Sequence, residues 1–306
     1  MISGPVVVGV DGSPESAAAA AVGWRLAEAA GVRCHLVHAT SDVRSALDLA
    51  GTGVSLDDLQ GALLERARGE IVALLEDRVP PHVLGGVIVR AGRPTSILAD
   101  VVAETKAGLV VLGGKHHSTL NRWLGGSTVQ HVVRRVAVPL LVTAGDLHPR
   151  PRVLVAVDLS YAALPTLDEA VDFARLLGGP LRALHVIEPI PNLPDVPFPV
   201  DVGEFARRSR EQLEQHVWPS LPVPDHHKVV RQGIALDVIA EEAAAWRADV
   251  IVVGSHGKGW VDRLVIGSLT EDLLNDLPTA VLVIPVPAPE RLEMLPLHVQ
   301  AAVVTA

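Results

Sequence analysis

The sequence predicts an α/β protein with two tandem open parallel sheets, each of five strands with helices on both faces. Short runs rich in Val, Ile and Leu alternate with helix-like segments along the chain, which is typical of a parallel sheet covered on both sides. The same succession of segments occurs twice. The length of 306 residues suits two ordinary domains, each able to bury its own core.

The internal repeat is clearest in the first strand of each copy. The run "VVVGVDGS" at 6–13 recurs as "VLVAVDLS" at 153–160, so Asp11 aligns with Asp158. A polar, proline-containing stretch at 144–152 joins the two copies. We therefore expect a first domain over 1–145, a second domain over 151–286 and a C-terminal tail over 287–306.

The first strand and helix of the first copy carry clear boundary signals. The strand "PVVVGV" leads to Ser13 and Pro14, which predict an N-cap followed by proline at the first helical position. The alanine-rich helix then ends near Gly31, and "RCHLVHAT" at 33–40 predicts the second strand.

The remainder of the copy continues the alternation of strand and helix. Apolar residues at 97, 98, 101 and 102 fall on one face of a helix, after a third strand at 86–92. The other predicted elements are a helix at 57–78, a fourth strand at 109–114, a helix at 127–135 and a fifth strand at 139–144. The second copy follows the same order, with a proline-rich connection after its second strand.

Composition excludes several classes of protein. The 26 Lys and Arg residues are outnumbered by 35 Asp and Glu residues, and no basic run occurs, so nucleic-acid binding is disfavoured. No stretch is apolar enough to span a membrane, and the N-terminus lacks the features of a signal peptide. Cys34 is the one cysteine, which rules out an intrachain disulfide. These features together predict a cytoplasmic protein without nucleic-acid or membrane partners.

A glycine-rich loop is the main chemical signal of the second copy. In "GSHGKGWVDRLVIGS", Gly254, Gly257 and Gly267 precede Ser268, between a strong strand and a helix start. Glycines let the main chain approach a phosphate closely, because no Cβ intervenes. A loop at the carboxyl end of a parallel strand is also where open α/β sheets bind ligands.

The first copy contains a near repeat of this loop at 113–127, but His116 stands where the second copy has Gly257. At that position the backbone of the matched loop can require a positive φ, which is costly for a residue other than glycine. Two outcomes follow: His116 excludes a nucleotide, or its imidazole donates a hydrogen bond and the site survives in altered form. We expect weaker or differently posed binding in the first copy.

Each loop ends where a helix is predicted to begin. Ser268 and Glu271, like Ser127 and Gln130, have the spacing of a capping box. The free N–H groups and the dipole of a helix N-terminus favour an anion there. The alternative is that the glycines merely allow tight turns.

Asp11 and Asp158 each end a first strand, and so lie at the same edge of the sheet as the loops. A carboxylate there could address the sugar or base of a nucleotide whose phosphates occupy the loop. Neither G-x-x-x-x-G-K-[ST] nor G-x-G-x-x-G follows a first strand, so the chain is neither a P-loop NTPase nor a dinucleotide-binding Rossmann domain.

Several histidines and serines have ordinary structural interpretations. The adjacent pairs His116–His117 and His226–His227 do not share a face for one metal, so no metal site is predicted. His38 and His185 end the second strand of each copy and are interpreted as structural. Ser160, like Ser13, is predicted to be an N-cap, because no G-x-S-x-G motif surrounds it.

Three features together resemble the universal stress protein family in its tandem form. They are the strand "VVVGVDGS", the Gly92-Arg93-Pro94 turn before the third helix, and the pattern Gly-x2-Gly-x9-Gly-Ser. The resemblance covers residues 5–286. It implies a Rossmann-like sheet with strand order 3-2-1-4-5 and ATP, alone or with Mg²⁺, bound where that order reverses.

The resemblance also implies roles for individual residues. Asp158 and the backbone near Val186 would face the adenosine, while Gly254, Gly257, Gly267 and Ser268 would hold the phosphates. In the first copy Asp11, Gly113, Gly126 and Ser127 match the family pattern, and His116 departs from it. Family members tend to pair through their last strands, which implies an intrachain pseudo-dimer and allows a homodimer.

The function expected from these observations is that of an ATP-binding regulatory stress-response protein. Nucleotide occupancy would bias its conformation or the binding of a protein partner, with little or no turnover, because no catalytic residue is evident. The alternatives are a slow ATPase or nucleotide hydrolase that uses Asp158 and a metal, and a nucleotide-free interaction module.

Overall fold

The computed structural model describes residues 2–42, 56–114, 126–189, 202–255 and 267–286. The chain divides into two compact units, Met1–Leu147 and His148–Ala306. This division falls inside the polar stretch 144–152 at which the repeat changes copy. The tail predicted at 287–306 lies outside the described residues.

The first unit contains a five-stranded parallel sheet in the order β3-β2-β1-β4-β5. Its strands are β1 Val6–Gly9, β2 Cys34–Thr40, β3 Ile88–Ala91, β4 Leu109–Gly113 and β5 Leu140–Thr143. The central strands β1 and β4 are almost completely buried, since helices cover both of their faces. The predicted fold class and strand order are therefore confirmed for this unit.

Its helices are α1 Pro14–Ala30, α2 Leu56–Leu75, α3 Pro81–Leu84, α4 Pro94–Thr105 and α5 Gly126–Val133. Helix α1 begins as predicted, because the Ser13 side chain accepts a hydrogen bond from the Ser16 N–H and Pro14 occupies the first turn. It ends at Gly31, whose φ of 66° is the left-handed conformation that glycine adopts most easily.

The helix predicted at 57–78 ends earlier, at Leu75. The Arg78 and Val79 N–H groups both donate to the Leu75 carbonyl in a closing turn. Proline cannot continue a helix, and residues before proline favour extended backbone, so Pro80 and Pro81 redirect the chain into the short helix α3. Helix α3 was not predicted from the sequence.

The second unit repeats the arrangement, with the order β8-β7-β6-β9-β10 and parallel pairing throughout. Its strands are β6 Val153–Ala156, β7 Leu181–Ile187, β8 Lys228–Gln232, β9 Val250–Gly254 and β10 Ala280–Ile284. Its helices are α6 Ala163–Leu177, α7 Val202–Gln212, α8 Ala235–Trp246 and α9 Ser268–Asp276, with a π turn at Leu213–Val217 after α7.

The start of α6 differs from the prediction. Ala162, rather than Ser160, is the N-cap, and it makes no side-chain capping hydrogen bond. The Ser160 hydroxyl is engaged before the helix begins: it accepts from the Ala162 N–H and donates to Asp158. Without a proline at the position of Pro14, the second copy forms an extra turn ahead of its helix.

Candidate functional site

A cavity of about 470 Å³ opens at the carboxyl edge of the second sheet. It lies where β6, β7 and β9 end and where α8 and α9 begin. The described residues of the predicted second-copy site all line it: Asp158, Val186, Gly254, Gly267 and Ser268. Gly257 lies outside the described residues.

The Asp158 carboxylate is held in a local turn at the end of β6. Its Oδ1 accepts hydrogen bonds from the Ser160 N–H at 3.1 Å and from the Ser160 hydroxyl at 2.5 Å. Asp11 makes the same pair of contacts with Ser13, at 3.1 and 2.5 Å. Such Asx turns are a local property of the sequence, and they present a half-buried carboxylate to the cavity in the second unit.

A histidine ties the second strand to the backbone just ahead of each aspartate. His185 Nδ1 donates to the Val157 carbonyl at 2.8 Å, and His38 Nδ1 donates to the Val10 carbonyl at 2.7 Å. His185 is 2% exposed, whereas His38 is half-buried. Both contacts agree with the structural role expected for these histidines.

The ends of the glycine loop are closed by hydrogen bonds. The Gly267 N–H donates to the Ser255 carbonyl at 2.9 Å, and the Thr270 hydroxyl donates to the Gly254 carbonyl at 2.9 Å. These contacts hold the end of β9 beside the start of α9. The N-terminal turn of α9 thereby reaches the cavity wall, where Gly267, Ser268 and Leu269 line it.

The predicted capping box at Ser268 is wrong. Gly267 is the N-cap of α9, no side-chain capping bond forms there, and Ser268 is the first residue of the helix and exposed. Glycine is itself a favourable N-cap residue, and Gly267 takes that position with its own N–H bonded to the Ser255 carbonyl. A first turn without a side-chain cap leaves backbone N–H groups for an anion. In the first unit α5 begins at Gly126, so Ser127 likewise lies within the helix.

The first unit has a smaller cavity at the equivalent edge, of about 230 Å³. Asp11 and Gly113 line it, together with Thr128 and Val129, which follow the predicted residues Gly126 and Ser127. His116 lies outside the described residues. Matched lining positions differ in both directions: Leu112 and Pro94 are larger than Val253 and Ala235, whereas Ala39 is smaller than Val186.

Two residues that line the larger cavity were missed by sequence reasoning, Thr166 and Glu188. Thr166 is 2% exposed, and its hydroxyl has no hydrogen-bond partner among the residues that the structure describes. The aligned residue in α1 is Ala19, so the fold itself does not need a hydroxyl there. This difference between Ala19 and Thr166 is the feature of the sequence that could have indicated a cavity residue at 166.

We expect two valine substitutions in this cavity to act differently on stability. Thr166→Val removes a buried hydroxyl that has no hydrogen-bond partner within the described part of the chain, and should leave the free energy of unfolding unchanged or raise it by up to about 1 kcal/mol. Thr270→Val removes the donor to Gly254 and should lower it by about 1–2 kcal/mol. Urea unfolding of both variants measures the contrast, and equal losses would show that Thr166 has a partner within the protein.

Metal ligation finds no support in the described ranges. No group of three or more His, Cys, Asp or Glu side chains is arranged there to hold a metal ion. The rings of His226 and His227 contact each other edge to face, and His227 Nδ1 lies 2.8 Å from the Leu181 carbonyl oxygen.

Among the described helices, none combines the length and apolarity needed to cross a membrane.

Comparison with known proteins gives consistent matches. The model of the universal stress protein family matches residues 3–144 and again residues 149–285. Universal stress protein Rv2005c of Mycobacterium tuberculosis is 30% identical over 298 residues, covering 91% of this chain and 96% of that protein. A universal stress protein of Mycolicibacterium smegmatis is 29% identical over 294 residues, with the same shares covered.

A solved structure agrees at the level of the fold. The crystal structure of a universal stress protein from Archaeoglobus fulgidus superposes with a TM-score of 0.62 at 21% identity, covering 92% of this chain and 98% of that one. Two family matches in succession and a curated tandem relative over nearly the full length confirm the resemblance inferred from the sequence motifs. The chain therefore belongs to the universal stress protein family and carries the family's domain twice in tandem.

Proposed function

We propose that the second unit binds ATP and that the protein is a nucleotide-dependent regulator, whose occupancy biases its conformation or its binding of a protein partner. The observation that carries the proposal is the composition of one cavity. A carboxylate, the backbone at the end of β7 and the N-terminus of α9 line the same space of about 470 Å³. Small-molecule sites typically measure roughly 300–1,000 Å³.

The charges in this cavity suit the two ends of a nucleotide. The start of α9 offers backbone N–H groups and a positive helix dipole, which favour phosphates. Asp158, which follows the end of β6 and lines the same cavity, offers an acceptor for the hydroxyl and amino groups of a nucleoside. A carboxylate and an anion site in one cavity favour a ligand with donors at one end and negative charge at the other.

The first unit is proposed to bind nucleotide more weakly. Its cavity of about 230 Å³ falls below the usual range of small-molecule sites. His116 at the position of the loop glycine also favours weaker nucleotide binding in the first unit. Unequal sites would let one unit sense nucleotide while its repeat contributes mainly to the architecture.

Titration calorimetry of the full chain with ATP, with and without Mg²⁺, tests the proposal. We expect one tighter site, and we expect Asp158→Ala to weaken it about tenfold or more, because hydrogen bonds to charged groups contribute about 1.5–3 kcal/mol. Asp11→Ala is the matched control, since it removes the same turn in the first unit and should leave the tighter site unchanged.

Three results would contradict this proposal. An absence of ATP binding by the native chain would favour a nucleotide-free interaction module. Two equal sites would remove the distinction between the units. Phosphate release at about 1 per second or faster would make the protein an enzyme instead.

A further inference from the structure

Glu188 is a second carboxylate at the wall of the larger cavity, and it follows the end of β7 directly. Its Oε1 accepts a hydrogen bond from the Ala235 N–H at 3.3 Å, at the first residue of α8. The Gly233 N–H also donates to the Ile187 carbonyl at 3.2 Å, so two contacts join the end of β7 to the start of α8. The Glu188 carboxylate is therefore oriented at the rim before any ligand arrives.

The chemistry of a carboxylate limits what it can meet in a nucleotide. An ionised carboxylate only accepts hydrogen bonds and has about four lone-pair sites, so one bond to Ala235 leaves capacity for a ligand donor. Phosphates offer no donor and repel the charge. The donors of an adenine nucleotide are the two ribose hydroxyls and the adenine amino group.

The strand order places the two carboxylates on one side of β9, away from the N-terminus of α9. β7 and β6, which carry Glu188 and Asp158, lie on one side of β9, and α9 begins just after the loop that leaves β9. Phosphates at the α9 N-terminus would place the nucleoside towards the two carboxylates. In related α/β sheets, an acidic residue at the end of the second strand hydrogen-bonds the ribose hydroxyls, and β7 is the second strand of its unit.

The first copy has neither the carboxylate nor the N–H donor of the hydrogen bond between Glu188 and Ala235. Ser41 aligns with Glu188, and Pro94, which has no backbone N–H, aligns with Ala235. Helix α4 nevertheless begins at Pro94 and packs in the equivalent place. The fold therefore forms without this carboxylate and its donor, so the architecture of the unit does not require Glu188.

We infer that Glu188 accepts a hydrogen bond from the ribose 2′-hydroxyl of the bound nucleotide and makes the second unit selective for ribonucleotides over deoxyribonucleotides. The inference rests on the proposed binding of ATP. It assigns to this cavity a sugar-reading residue that is absent from the aligned position of the first unit.

Titration of the full chain with ATP and with 2′-deoxyATP tests this assignment. The native chain should bind ATP about tenfold or more tightly than 2′-deoxyATP, since one hydrogen bond to a charged group is lost. Glu188→Ala removes the acceptor altogether, so it should weaken ATP binding by a similar factor, change 2′-deoxyATP binding little, and bring the ratio close to one. Glu241→Ala is the matched control, because Glu241 is an exposed partner of Arg231 outside the cavity lining and the ratio should persist.

The possible failures are distinguishable. If neither nucleotide binds the native chain, the proposed function fails. If ATP binds but the native chain does not distinguish the two sugars, or Glu188→Ala keeps the distinction, the sugar assignment is wrong and the nucleotide site stands. If Glu188→Ala changes the ratio between ATP and inosine triphosphate instead, the carboxylate contacts the base, and the sugar assignment is overturned.

Discussion

Replacing Gly113 with alanine is expected to lower the free energy of unfolding of the first unit by about 2–4 kcal/mol, the range of strongly disruptive single substitutions. A Cβ at Gly113 would lie 2.6 Å from both the carbonyl carbon and the oxygen of Glu15, and 2.8 Å from the Ser16 nitrogen. These are backbone atoms in the first turn of α1, so no side chain can rotate away. The end of β4 and the start of α1 would have to separate.

Urea unfolding followed by circular dichroism measures this effect, with Gly61→Ala as the control. Gly61 lies in α2, and within the described part of the chain no atom would lie within 4 Å of a Cβ added there, apart from its own helix and chain neighbours. That substitution should stabilise the protein by about 0.5–1 kcal/mol, because alanine favours a helix more than glycine does. A Gly113→Ala variant as stable as the native protein would refute the packing argument.

The close packing of α1 against Gly113 provides a structural reason for glycine at the start of the first loop. Gly113 was singled out as a phosphate residue, yet the close approach of α1 already requires glycine there without any ligand. A glycine at the start of the loop is therefore not by itself evidence for nucleotide binding in the first unit. The evidence for binding in the second unit comes from the cavity and its charges.

Replacing His185 with alanine should destabilise the second unit by about 2–4 kcal/mol. The substitution removes the donor to the Val157 carbonyl and empties a position that is 2% exposed, so an unsatisfied acceptor and a void add together. Asp158 follows Val157 directly, and the loosened backbone should also weaken ATP binding.

His38→Ala is the matched comparison in the first unit. It breaks the same hydrogen bond, to Val10, at a half-buried position where water can replace the donor. We expect a loss of about 1 kcal/mol, with the tighter nucleotide site unchanged. Thermal unfolding and ATP titration of both variants make the comparison, and equal losses of stability would show that burial does not set the cost.

The sequence by itself determined what depends on neighbours along the chain. The Ser13 cap with Pro14, the left-handed Gly31 and the Asx turns at Asp11 and Asp158 each involve residues a few positions apart. The alternation of apolar strands and helices, read twice, predicted the fold class. The strand order came from the family resemblance and was confirmed by the pairing of the strands.

Only the tertiary structure decided how distant segments share space. The hydrogen bond from Ala235 to Glu188 joins residues 47 positions apart, and no periodicity reports such a contact. Gly267, whose N–H donates to the Ser255 carbonyl, takes the cap position of α9, so Ser268 is a helical residue instead of a cap. The two cavities, of about 470 and 230 Å³, are each enclosed by residues from several strands and helices that are far apart in the sequence. A cavity volume depends on how side chains from separate strands and helices pack at the edge of the sheet. The motifs of the two copies differ there by a few residues, and such motifs do not predict a volume.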